Sequence, residues 1–281
     1  MRKVSEMSNL RVLVTGGTGV LGQALTPRLL QAGHTLRIMS RRTAPPGTAL
    51  EWATASLETG EGLAAAVIGA DVIIHAASSP FKRTQQVDVD GTGRLLAAAR
   101  RAGVGHFIYI SIVGIDRVPF FYYRYKLAAE QLIESGGVPW SNLRATQFHN
   151  LIDIWLHLLA HTPFILPVPT DLPFQPVDAG EVAALLVDAV AAGPAGRLPD
   201  AGGPQVLKMG QMAESWRQAR GLRRPIVHLP LPGKAAAGFR HGDHTTPHRK
   251  TGRITWTEWL ESQYQEGEIG DNRLEIGNSR S

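Results

Sequence analysis

The 281-residue chain contains no cysteine. That excludes a disulfide framework, a thiolate metal site, an iron–sulfur cluster and a cysteine nucleophile. There is no run of 18 apolar residues, so no helical membrane span is expected. Residues 1–9 are polar and lack the apolar core of a secretory signal. A soluble, cytoplasmic protein is the expectation. Gly-x-Ser-x-Gly elbows, Walker loops and His-Glu-x-x-His helices are also missing, which argues against the serine-hydrolase, P-loop and zinc-peptidase classes. Lysine is scarce, with 6 among the 29 basic residues.

The basic excess is small, a formal +5, and it is scattered. Its densest groups are Arg41-Arg42, Arg100-Arg101, Arg223-Arg224 and His248-Arg249-Lys250. None alternates with aromatic residues as a nucleic-acid surface would. All but the first pair read as solvated faces, so neither nucleic acid nor membrane is an expected partner. A hydrophobic content of 43% against 19% charged residues is too apolar for disorder and sufficient for a sizeable core.

Apolar, β-branched runs at 10–15, 35–39, 71–76, 106–112 and 140–146 read as buried strands, with a weaker one at 51–55. Helical patterns at 20–32, 60–68, 88–102 and 122–135 lie between them. This alternation specifies an α/β fold, a doubly wound parallel sheet of the Rossmann kind. After Phe148 the rhythm loosens. A helix at 151–160 precedes a segment at 162–176 with five prolines, read as an extended loop. Helices at 179–192, 211–220 and 255–263 and a strand at 226–229 follow. The expected organisation is a nucleotide-binding core over 8–150, a substrate-binding cap with remaining core elements over 151–266, and a frayed tail over 267–281.

The turn after the first strand reads Gly16-Gly17-Thr18-Gly19-Val20-Leu21-Gly22. Three glycines at this spacing, between a strand and a helix, are the fingerprint of a dinucleotide site. Gly16 takes the tight turn, Gly19 admits the pyrophosphate and Gly22 lets the helix pack on the sheet. The first helical N–H groups, from Thr18 to Gly22, face the phosphates. The second strand ends in Ser40-Arg41-Arg42, where NAD sites usually carry a carboxylate. Guanidinium groups suit a 2′-phosphate, so NADP(H) is predicted over NAD(H), with Arg41 the main contact and Arg42 beside it.

The glycine loop, His75-Ala76-Ala77, Asp88-Val89-Asp90-Gly91-Thr92, Tyr109-Ile110-Ser111, Tyr122-x-x-x-Lys126 and Leu143-Arg144-Ala145-Thr146 together resemble the short-chain dehydrogenase/reductase superfamily. Within it the chain is similar to the atypical, NmrA-like and epimerase-like branch. The resemblance implies hydride transfer to or from a small carbonyl or alcohol substrate. It implies Tyr122 as acid/base, Lys126 as its tuner and ribose anchor, and Ser111 as the group orienting substrate oxygen. Ala76, Ala77 and Ser78 would line the cofactor.

Tyr122 and Lys126 share one helix face, and the lysine charge is expected to lower the phenol pKa towards neutrality. This sequence departs from the family in placing Asp88 where an Asn is usual, and Ser56 where many relatives carry an Asp. Ser111 also precedes Tyr122 by only 11 residues. The same branch contains NADP(H)-binding regulators without turnover, which is the alternative reading.

Weaker candidates remain. Asp88, His149 and Asn150 lie where substrate is expected, with His149 equally readable as a packed side chain. Trp155, Leu156 and the proline-rich segment are expected to wall an apolar pocket. Trp216, Trp256 and Trp259 read as core anchors. His241, Asp243, His244 and His248 read as a solvated loop, so no metal is expected. A small-molecule substrate is the expected partner, and self-association is left open.

Overall fold

The computed structural model describes residues 9–264. The tail expected at 267–281 lies outside them. In chain order the elements of the first half are β1 Arg11–Thr15, α1 Val20–Gln31, β2 Thr35–Ser40, β3 Glu51–Thr54, α2 Leu63–Val67, β4 Val72–His75, α3 Gly91–Arg101, β5 His106–Ile112, α4 Phe121–Ser135 and β6 Trp140–Ala145. The second half holds α5 His149–Leu159, β7 Leu166–Val168, β8 Pro173–Phe174, α6 Ala179–Ala192, β9 Gly196–Arg197, β10 Leu207–Lys208, α7 Met209–Ala219, β11 Ile226–His228, α8 Lys234–His241 and α9 Trp256–Tyr264.

Seven parallel strands form one sheet in the order β3-β2-β1-β4-β5-β6-β9. The order reverses between β1 and β4, which opens a crevice beyond their C-terminal ends. Strand alternation sends Val12 and Val14 to one face, where they meet Leu21, Leu25 and Leu29 of α1 and Val182, Leu186 and Val190 of α6. Leu13, Ile73, Phe107 and Tyr109 face the other way, onto α2, α3 and α4. A third core holds the cap, with Ile152 and Leu156 packed among Trp216, Trp256 and Trp259. Among the described residues, no helix is long and apolar enough to cross a membrane.

Several sequence expectations are corrected here. The segment 162–176 is not wholly irregular: β7 pairs with β11 and β8 with β10. These strands have two or three residues, too short to show a period. The stretch 241–248 is a solvated loop only in part, with His241 and His248 exposed. α8 ends at His241, and His244 is fully buried against the rings of Phe174 and Phe239. The apolar face of α8 is built mostly from alanine, which gives little hydrophobic signal. Among the described residues there is no cluster of side chains that suits a metal ion.

Two buried polar arrangements hold the sheet ends in place. In the first, Ala77 N–H donates to Thr15 Oγ1 at 3.2 Å, and Thr15 Oγ1 lies 2.7 Å from His75 Nδ1. On the other side of the ring, His75 Nε2 lies 2.9 Å from Thr92 Oγ1, which donates to Asp88 O at 2.6 Å. Thr92 has spent its proton on Asp88, so it accepts from Nε2–H. In the neutral ring Nδ1 then accepts from Thr15. Burial, reinforced by the Lys126 charge, lowers its pKa to about 3.

In the second, Arg144 forks onto Glu130 at 2.8 and 2.6 Å and reaches Asp116 at 2.9 Å. Burial pushes Glu130 up, but the bonds from Arg144 outweigh it and hold the carboxyl below its ordinary value.

Thr15→Val removes both an acceptor and a donor from the His75 chain. It is expected to cost about 1–3 kcal/mol in urea unfolding, with Thr15→Ser close to wild type. Arg144→Met leaves Glu130, 2% exposed, without its cation. The expected cost is about 3–5 kcal/mol near neutral pH. The intact pair stabilises the fold above the ordinary carboxylate pKa and loses that contribution as pH falls through the lower folded value. The Arg144→Met penalty should therefore shrink on acidification, measured as unfolding free energy against pH.

Candidate functional site

The crevice at the sheet reversal is walled on one side by the glycine turn. Gly16 has φ +69°, and a Cβ there would sit 2.7 Å from Ala77 N. A Cβ on Gly22 would sit 2.3 Å from Gly16 O, so only glycine lets α1 approach the turn. At Gly19 the nearest atom to a Cβ would be Gly16 O at 3.3 Å. The loop is thus packed tightly behind Gly16 and Gly22 and more open at Gly19. Gly19 is the N-cap of α1 and offers no side-chain cap, which leaves the first N–H groups of a twelve-residue helix for an external anion.

A cleft of about 420 Å³ runs from this turn over the ends of β1, β2 and β4. Gly16, Thr18, Arg41, Arg42, Ala76, Ala77 and Ser78 line it. Val20 is half exposed at the start of α1 and lines neither this cleft nor the neighbouring cavity. Ser40 Oγ accepts from Arg42 N at 3.1 Å, and Arg42 O accepts from Trp52 Nε1 at 2.8 Å, so the turn carrying both arginines is fixed. Ala55 and Leu57 supply an apolar wall, and Glu58 lines the cleft while paired with Arg83. Glu58 went unnoticed in the sequence because it lies beyond β3 rather than at the end of β2. The glycine turn, the uncapped helix and the neighbouring cations fit a dinucleotide.

A second cavity, of about 650 Å³, opens on the other side of Ala76 and Ser78, which line both spaces. Leu21, Ser111, Tyr122 and Lys126 line it, together with Trp155 and Phe174 of the cap. Tyr122 OH lies 2.5 Å from Ser78 Oγ, which donates to Asp88 Oδ1 at 2.5 Å. Asp88 Oδ2 accepts from Ser79 N at 2.8 Å. Asp88 is buried within a π-helical turn, Gln85–Asp90, that leads into α3. Such a turn adds a residue to the helical repeat and re-aims the side chains on it.

This grouping corrects two sequence expectations, the lowered phenol and Lys126 as its tuner. Ser78 is the hydroxyl bonded to Tyr122. Ser111 is buried and lines the cavity, with no partner for its Oγ. Tyr122 is not driven towards neutrality: burial, then the Asp88 charge, pushes the phenol up despite the Ser78 bond. Lys126 does not offset this, because its Nζ donates to Ile110 O at 2.9 Å and sits 4.1 Å from the Tyr109 ring centre. Burial lowers Lys126 to about 8, with Asp88 and Glu130 acting in the opposite sense.

Asp88 lines neither space and acts on the site through Ser78 and Ser79. His149 is a packed ring, stacked on Trp256 and Trp259 and bonded to Ile254 O, and it does not line the cavity. Burial lowers its pKa to about 4. Asn150 also lies outside the cavity, and Leu156 is in the cap core. Ser78 and Asp88 were separate candidates in the sequence. Their proximity to Tyr122 needs the turn after β4 and the π-helical turn, neither of which has a sequence period.

Comparison with known proteins agrees with this geometry. A family profile described as NAD(P)H-binding matches residues 16–191. An uncharacterised protein of Mycobacterium tuberculosis is 28% identical over 225 residues, 79% of this chain, but the match spans only 24% of that relative's length. A (4-alkanoyl-5-oxo-2,5-dihydrofuran-3-yl)methyl phosphate reductase of Streptomyces griseus is 28% identical over 231 residues, 80% of this chain and 78% of its own. Among solved structures, an NADPH-dependent quinone oxidoreductase of Escherichia coli, complexed with NADPH, superposes with a TM-score of 0.73. It is 17% identical, and the match covers 90% of this chain and 99% of that one, a likeness of fold. The glycine turn that reads as a dinucleotide loop thus lies at the start of a matched region that covers most of the sheet, and the chain belongs to the NAD(P)H-binding family.

Proposed function

We propose that the protein is an NADP(H)-dependent oxidoreductase that reduces a carbonyl compound, with Tyr122 giving the proton. The observation that carries this reading is the junction of the two spaces at Ala76 and Ser78, with the Tyr122 hydroxyl beside it. Gly16, Thr18 and the start of α1 would hold the pyrophosphate, and Arg41 with Arg42 the 2′-phosphate. A bound nicotinamide supplies hydride, and the chain must supply the rest.

Tyr122 is suited to be a donor that stays loaded, because burial and Asp88 keep its proton on. Ser78 Oγ accepts that proton in hydrogen bonding while its own hydroxyl points to Asp88. When a carbonyl oxygen displaces Ser78 as the acceptor, the phenol proton passes to the alkoxide oxygen. The Ser78 hydroxyl then turns from Asp88 to the phenolate left behind. Lys126 retains donors beyond the one spent on Ile110 O, and these would hold the ribose hydroxyls.

Titration should show tighter binding of NADPH than NADH, by about tenfold to a hundredfold, the worth of one charge-assisted hydrogen bond. Arg41→Ser should narrow that gap. Equal affinity, or tighter NADH, would overturn the 2′-phosphate assignment. Tyr122→Phe should lower kcat by about 10²–10⁴-fold with NADPH affinity retained. An active Phe variant would remove Tyr122 from the chemistry. The rate should hold below pH 8 and fall above it as Lys126, with its pKa of about 8, loses its charge. Lys126→Met should abolish that break in the pH profile.

A further inference from the structure

The larger cavity differs in character from the nucleotide cleft. Its walls are almost wholly apolar, with Phe120, Phe174, Phe239, Leu172 and Met209 among them. Among the described residues, no carboxylate and no arginine lines it. Lys126 is the one side-chain cation there, and it is buried and engaged with Ile110 O and the Tyr109 ring. A phosphate or sugar nucleotide placed here would lose its hydration without gaining cations or a dense set of donors, a cost of several kcal/mol per buried charge.

Two further observations point to what does fit. The rim is apolar as well: Phe81, Phe121 and Leu158 line the cavity while 75%, 46% and 49% exposed. Three such side chains around one opening mark a ligand groove rather than scattered surface residues. Deeper in, Gln147 is only 5% exposed and lines the cavity. Its amide nitrogen reaches Tyr123 OH at 3.5 Å, and its amide oxygen has no partner. A buried amide end left unpaired in an apolar wall is a site for one polar group of a ligand.

Resting on the carbonyl-reductase reading above, we propose that the substrate is an uncharged hydrophobic carbonyl compound. It carries an extended ring or chain that fills the cavity and emerges between Phe81, Phe121 and Leu158. It also carries one further polar group that bonds the Gln147 amide. The volume of about 650 Å³ suits a molecule of that size. Charged and nucleotide-linked carbonyl compounds are excluded by the walls rather than by the chemistry.

The test is equilibrium binding to the full chain saturated with NADP⁺, using decyl-ubiquinone and UDP-glucose as probes. Decyl-ubiquinone should quench the fluorescence of Trp155, whose indole lines the cavity, and the quench should shrink in Trp155→Phe. UDP-glucose should neither quench nor compete. Leu158→Glu, at a half-exposed position, should weaken decyl-ubiquinone about tenfold, equivalent to ~1.4 kcal/mol, with NADPH affinity unchanged. If that variant fails to fold, Phe81→Asp at the more exposed rim position serves in its place.

Absence of quenching by decyl-ubiquinone, displacement of it by UDP-glucose, or an unchanged affinity in the rim variant overturns the proposal. Binding of decyl-ubiquinone without NADPH oxidation supports the proposal on substrate chemistry while refuting the reductase reading. Turnover of charged carbonyl compounds alone does the reverse.

Discussion

A single file of hydrogen bonds, running from the Ala77 amide through Thr15, His75 and Thr92 to the Asp88 carbonyl, has one consistent direction. It begins at the end of β1 and finishes in the π-helical turn, and it passes through the ring that ends β4. Each hydroxyl accepts from one neighbour and donates to the next. The other neutral tautomer would leave Nε2 and Thr92 Oγ1 facing each other as two acceptors. A protonated ring would break it at Nδ1, and burial keeps the ring neutral. The two segments that bear on the Tyr122 hydroxyl, Ala76–Ser79 and the turn carrying Asp88, are therefore set by the same chain. Satisfied buried networks of this type fix one geometry, because partial satisfaction is so costly.

From that anchor the sheet presents two environments. Towards β2 the cleft is polar, with free helical N–H groups and two arginines. Towards β6 and the cap the cavity is apolar. Ala76 and Ser78 are the shared wall, and small side chains there keep the two ligands within reach of each other. The asymmetry follows from the sequence after the two halves of the sheet. The glycine turn follows β1 and Arg41-Arg42 follow β2, whereas the connection after β6 leads into α5 and the cap, with its aromatic and leucine side chains.

The core was legible because its elements repeat a pattern. Runs such as the one at 106–112 coincide with β5, and the 179–192 helix coincides with α6. The glycine turn and the Arg41-Arg42 pair were legible because each residue type has a local steric or electrostatic reason. The cap was less so. Its strands are too short for a period, and α8 is too alanine-rich to declare a face. Pairings across the site were illegible for a different reason. Ser78, Asp88 and Tyr122 come from the turn after β4, the π-helical turn and the start of α4, and only the folded turns decide which hydroxyl meets which. Spacing along α4 correctly put Tyr122 and Lys126 on one helix. It gave no warning that Lys126 would commit one N–H to Ile110 O while burial, then Asp88, raised the phenol.

The path of the chain has a consequence for how this molecule can be divided. After β6 the backbone enters the cap at α5, returns to the sheet with α6, and leaves again for α7. Val182, Leu186 and Val190 of α6 complete the core under α1, the helix whose N-terminus faces the cleft. A cut at the end of β6 would thus not release a self-sufficient nucleotide domain. It would strip the apolar backing from the helix that carries the glycine turn. The cap is threaded into the core rather than appended to it: residues 160–178, with β7 and β8, join α5 to α6, the element that bears on α1. In this chain the two ligand spaces are joined mechanically as well as by the wall they share.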